Sequence, residues 1–110
     1  LDEDSIYKVA SRARPEEVRK MLELAFKGDF LQARKQLDSL LYEYSLSGED
    51  IISQVYSEVV NDEKIEDKVK LKLIERIGET DFRLSEGANE RIQIEALLAQ
   101  LVLLGKRRNE

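Results

Sequence analysis

The stretch "SEGANERIQIEALLAQLVLLG", residues 85–105, decides how the chain is read. Gly87 ends one helix, Ala88-Asn89 open the next, and that last helix has hardly any wet side. At 100° per residue, Ile94, Leu97, Leu101 and Leu104 form one apolar stripe. Ala88, Ile92, Ala96, Ala99 and Leu103 form a second, roughly opposite. Leu98 and Val102 fill part of the remaining arc. Polar residues keep to two narrow seams: Asn89, Gln93 and Gln100 on one, Arg91 and Glu95 on the other. A surface helix carries a broad polar face, whereas one that is apolar all round is buried.

Two burials satisfy that pattern. The helix is either the centre of its own bundle, wrapped by the other four, or a seam against a neighbouring chain. Few layers can be built from four other short helices, and the small residues Ala88, Ala96 and Ala99 suit close approach of another helix. The expectation is therefore an interface drawn from Asn89, Arg91, Gln93, Ile94, Leu97, Leu98, Gln100, Leu101 and Leu104. Which stripe faces outward stays open. Burying four leucine-class side chains contributes about 6–12 kcal/mol before association costs.

The remaining helices follow from the same rhythm. Pro15 suits a first helical position, with Glu16 and Glu17 at the positive end of the dipole. Val18, Met21, Leu22, Ala25 and Phe26 give the first apolar face. Gly28 ends that helix and Asp29 caps the next, forcing an antiparallel hairpin. Phe30, Ala33, Leu37, Leu40, Leu41 and Tyr44 form the second face. Ser47 with Asp50 makes a shortened capping box, and Leu46 with Ile51 a hydrophobic staple. The third face is Ile51, Ile52, Val55, Tyr56, Val59 and Val60. Asn61-Asp62-Glu63-Lys64 reads as a loop. The fourth helix is predicted from near Ile65 to about Leu84, with Val69, Leu73, Ile74 and Ile77 facing in. The fold class is all-α: one compact bundle of about five helices over residues 15–105. It follows a short non-helical linker (1–14) and precedes a basic tail (106–110).

Asp81 falls on or beside the inward stripe of the fourth helix, where an unpaired carboxylate is costly. It either reaches water at the boundary or forms a structural ion pair, with Arg91 as the cation.

Composition narrows the function. The 110 residues are 42% hydrophobic and 37% charged, a globular balance, with neither cysteine nor histidine. Disulfides, thiol catalysis and imidazole chemistry are thereby excluded, and zinc sites are not expected. The net charge is −5. Residues 1–14 cancel and the tail is basic, so the acidic excess lies in the body, a poor surface for phosphates. "LGKRRN" lacks the glycine loop and hydroxyl of a phosphate-binding loop. No catalytic, cofactor or metal residues are assigned, and the chain is not read as an enzyme. It shows no signal peptide and no long uncharged apolar run, so a soluble, cytoplasmic protein without membrane contact is expected. Residues 5–11, "SIYKVAS", read as a tether, as if the chain were a piece of something longer.

Three segments carry a resemblance: "VASRARPEEVRKMLELAFKGDFLQAR" (9–34), "LSGEDII" (46–52) and above all "IGETDFRLSEGANERIQIEALLAQLVLLGK" (77–106). They resemble the carboxy-terminal part of the archaeal-type replication factor C small subunit, a sliding-clamp loader. The resemblance implies a collar domain that packs side by side with others into a ring. The ring would hold upstream AAA+ ATPase modules while they load the clamp onto primer–template DNA in replication. ATP and magnesium are implied for the parent chain only, since its nucleotide-binding motifs have no matching positions here. Implied partners are further copies of the chain or the replication factor C large subunit, with clamp and DNA reached through the parent complex. The alternative is a free-standing tetratricopeptide-like adaptor, suggested by the hairpin "LAFKGDFLQARKQLDSLL". That pattern does not recur at the ~34-residue period, and such arrays need about three units.

Overall fold

Pro15 removes right-handed helical angles from the residue before it. Arg14 takes left-handed angles instead (φ 46°, ψ 65°), with its guanidinium 4.6 Å from the Tyr44 ring centroid. A computed structural model describes residues 14–105. The expected linker, Arg14 apart, and the basic tail lie outside the described residues.

Five α-helices follow: α1 (Pro15–Phe26), α2 (Phe30–Asp38), α3 (Gly48–Asn61), α4 (Asp67–Ser85) and α5 (Glu90–Leu104). There is no strand among the described residues. The fold is the expected all-α bundle.

The corners are local chemistry. Gly28 (φ +89°) lets the chain turn after α1, with Gly28 N–H donating to Ala25 O at 2.9 Å and Asp29 N–H to Leu24 O at 2.9 Å. Asp29 Oδ1 then accepts from Gln32 N–H at 3.1 Å and starts α2. The same device recurs after α4: Gly87 (φ +91°) donates to Leu84 O and Ala88 to Arg83 O. Ahead of α3, Ser47 and Asp50 form both arms of the capping box. Leu46 and Ile51 are both buried, as the staple requires.

One element departs from expectation. The second helix does not run on as α-helix to Tyr44; residues Ser39–Glu43 widen into a π-turn. Tyr44 N–H donates to Ser39 O, and Leu46 N–H to Leu40 O, each at 3.0 Å. The widening lets Leu40 and Leu46 both enter the core. The fourth helix runs Asp67–Ser85, close to its expected bounds, and Ile65 just ahead of it is buried in the core. Its inward face is Leu73, Ile77, Thr80 and Leu84, while Val69 and Ile74 are only partly covered. Buried Thr80 is satisfied by its own helix, donating to Arg76 O at 3.0 Å.

The core lies where α5 meets the rest. Val18, Met21, Leu22 and Ala25 of α1 join Ala33 and Leu37 of α2 and Ile51, Ile52, Val55 and Val59 of α3. Helix α5 touches each of the other four, and α4 most.

Candidate functional site

Asn89 caps α5 by accepting the Ile92 N–H on Oδ1 at 2.9 Å. The helix then divides into two apolar sides. Ile94, Leu97, Leu98 and Leu101 are buried in the chain's own core. Opposite them, Ile92 is 63% and Leu103 72% exposed, with Ala96 also exposed and Ala99 half-buried on the same stripe.

Of the expected interface residues, Ile94, Leu97, Leu98 and Leu101 face the chain's own helices. Leu104 is half-buried against the same core. Arg91 is turned toward α2, Asn89 is committed to its cap, and Gln93 and Gln100 are half-buried at the edge. The outward stripe is Ile92, Ala96 and Leu103. The missed signal was side-chain size: the stripe richer in large leucines is the core, and the stripe mixed with alanine is the free one.

The expected Asp81–Arg91 pair does not form. Asp81 is exposed on α4, on the rim it shares with α3. Arg91 points to the opposite side, toward α2. There it contacts the Asp38 carboxylate and donates to Glu95 Oε2 at 3.0 Å. Arg34 of α2 donates to the same Glu95 oxygen at 2.9 Å, and the Tyr42 ring lies 5.5 Å from the Arg91 guanidinium. Hydrogen bonds to Glu95, then to Tyr42 and Asp38, hold Arg91 above its ordinary pKa. This network fastens one edge of α5 to α2 and fixes the angle at which the free stripe is presented.

A second surface lies between α3 and α4. An apolar groove of about 320 Å³ is walled by Ile52, Tyr56, Ile74 and Ile77, with Gly78 and Asp81 at its edge. Tyr56, expected in the core, is 49% exposed here. A third cleft, of about 230 Å³, holds the Arg19–Glu58 pair, whose two hydrogen bonds measure 2.8 and 3.1 Å. Among the described residues no group of three or more acidic, histidine or cysteine side chains is gathered as a metal would require. None of their helices is long and apolar enough to cross a membrane.

The class defined by this geometry is an all-helical domain that keeps its last helix apolar on two opposite sides. Residues 13–100 match the replication factor C C-terminal domain family, and the chain belongs to it. It is 56% identical over 104 residues to a replication factor C small subunit of Methanococcus vannielii, covering 94% of this chain and 33% of that protein. A small subunit of Archaeoglobus fulgidus is 49% identical over 107 residues, covering 97% and 33%. One of Methanocaldococcus jannaschii is 53% identical over 106 residues, covering 96% and 6%. The chain thus spans a third or less of these curated relatives.

Proposed function

We propose that this chain is a collar: the self-association domain of a clamp-loader small subunit. Copies, or kindred subunits, cover one another's α5 stripe and form a ring. The ring holds upstream ATPase modules, which bind ATP and magnesium, while they place a sliding clamp on primer–template DNA. The domain itself contributes cohesion and no chemistry.

The observation that carries this is the exposure of Ile92 and Leu103 directly behind a fully buried leucine face. Covering each contributes about 1.5–3 kcal/mol. Set against association costs, that makes a weak pairwise contact. A ring suits a weak contact, because each member is held twice. Family membership supports the same reading, and no observation favours a free-standing adaptor.

Light scattering over a concentration series tests it. The native chain is expected to associate, and Leu103→Glu or Ile92→Glu to give folded single chains. A native chain that stays single at every concentration would overturn the proposal.

A further inference from the structure

Two stripes run along α4. Leu73, Ile77 and Leu84 face the core. Leu71, Ile74, Gly78 and Phe82 stand at i, i+3, i+7 and i+11 and share an outward side. Leu71 and Phe82 are 67% and 64% exposed, and Ile74 is half-buried. Gly78 is exposed, its φ is not positive, and a Cβ added there would meet nothing within 4 Å. Glycine at such a place weakens a helix relative to alanine. Among the described residues, neither a close neighbour nor a backbone angle requires it. Its missing side chain leaves the α3–α4 groove open between Tyr56, Ile74 and Asp81.

Charge decides what fits there. Helix α3 holds no lysine or arginine, and Glu49 stands one turn before Ser53 on its groove side. On α4, exposed Glu66, Asp67 and Glu75 border the outward stripe, and exposed Asp81 borders the groove. None of these carboxylates is in an ion pair among the described residues. Glu79 is answered by Arg83 at 3.4 Å. The cations on this side are exposed Lys68 and half-buried Lys70, whose Nζ already donates to Val60 O at 3.0 Å. Lys72 and Arg76 fall, at 100° per residue, on the flank away from α3. The surface is therefore an apolar strip with an acidic rim.

We propose that the α3–α4 groove at Gly78 docks a basic amphipathic helix of another protein. A cleft between two helices suits a third helix, whose apolar side chains follow the strip from Leu71 to Phe82. Its lysines or arginines meet the rim. One of them fits the slot itself, with its aliphatic stem along Ile52 and Ile77 and its charge between the Tyr56 ring and Asp81. The uncharged α5 ridge of a second copy would leave that rim unanswered. The inference does not use the α5 stripe and is independent of the reading of α5 as a self-association surface.

Fluorescence anisotropy with a labelled peptide of about 16 residues, leucines on one helical face and lysines on the rest, tests it. The native chain is expected to bind this peptide, less tightly as salt rises, and not to bind its counterpart with glutamates for lysines. Gly78→Leu fills the slot without changing charge and is expected to weaken binding about tenfold or more, the scale of one lost anchor. Gly78→Gln repeats that arm with a polar helix former, in case leucine disturbs folding. Asp81→Lys is expected to weaken binding as much. Glu16→Lys on α1 makes the same change in net charge and is expected to leave it near native. Unchanged binding by both Gly78 variants, equal losses in Asp81→Lys and Glu16→Lys, or a native chain that ignores the lysine peptide each overturns the proposal. If Gly78→Leu separates copies of the chain while the peptide still binds it, the groove seats a second copy and the proposal fails.

Discussion

The carboxylate of Glu90 accepts the backbone N–H of Gly48 at 2.8 Å, joining the first turn of α5 to the first turn of α3. An added Cβ on Gly48 would stand 2.9 Å from Glu90 Cγ and 3.1 Å from its Cβ. The two residues are therefore one device: glycine admits the glutamate, and the glutamate satisfies a free donor at a helix start.

Glu90→Ala is expected to cost about 1 kcal/mol, the ordinary worth of a helix-start hydrogen bond. Gly48→Ala should cost about 1–3 kcal/mol by crowding. In the Glu90→Ala background that second cost should shrink, giving a coupling above about 0.5 kcal/mol in a double-mutant cycle. Urea unfolding of the four proteins measures it. Equal costs of Gly48→Ala in both backgrounds would refute the coupling.

Leu97 and Leu103 separate core from surface on a single helix. Leu97 is 2% exposed, and a glutamate there places an unpaired charge in the core. Leu97→Glu should fail to fold, and Leu97→Ala should cost about 2–5 kcal/mol. Leu103→Glu should keep its helical circular dichroism and melting midpoint. A folded Leu97→Glu protein would contradict the assignment of sides.

Much of this was legible in the residues because helix ends are written locally. Gly28-Asp29, Ser47 with Asp50, and Gly87 with Asn89 mark boundaries through side chains acting within a few positions. The two opposed stripes of α5 were legible for the same reason, since period alone reveals them. What was hidden depends on distant partners. The π-turn at Ser39–Glu43 exists because Leu40 and Leu46 must both reach the core. Arg91 finds Asp38 rather than Asp81 because α5 leans on α2 with that edge, which no spacing along the chain discloses. The same holds for Glu90 on Gly48, and for which stripe of α5 the other helices cover.

The Arg19–Glu58 pair makes acid stability testable. Donation from the Arg19 guanidinium, with help from Gln54, holds Glu58 below the ordinary glutamate value of 4.5, against the upward push of partial burial. A carboxyl lowered in the folded state stabilises fully above its unfolded pKa and loses that contribution as pH falls through the folded one. The advantage of the native chain over Arg19→Gln should thus be largest near neutral pH and shrink on acidification below 4.5. The pair is partly exposed, so the effect is modest and weakens with salt. Urea midpoints for both proteins across that range provide the measurement. A difference that stays constant with pH would mean Arg19 acts through packing instead.

Gly78 and Gly105 should respond to alanine in opposite directions. At Gly105 an added Cβ would strike the Leu101 carbonyl oxygen and lie 2.6 Å from Phe26 Cε1, between the end of α5 and the end of α1. Gly105 N–H also donates to Leu101 O at 2.8 Å, so the backbone cannot withdraw without losing that bond. Overpacking of this kind costs about 1–3 kcal/mol. At Gly78 the added methyl finds open space on an exposed helix, where alanine is favoured by about 0.5–1 kcal/mol. Thermal melts at a concentration low enough to keep chains apart should place Gly78→Ala above the native protein and Gly105→Ala below it. If Gly78→Ala melts lower under those conditions, the glycine serves the single chain after all, and its openness has an internal cause.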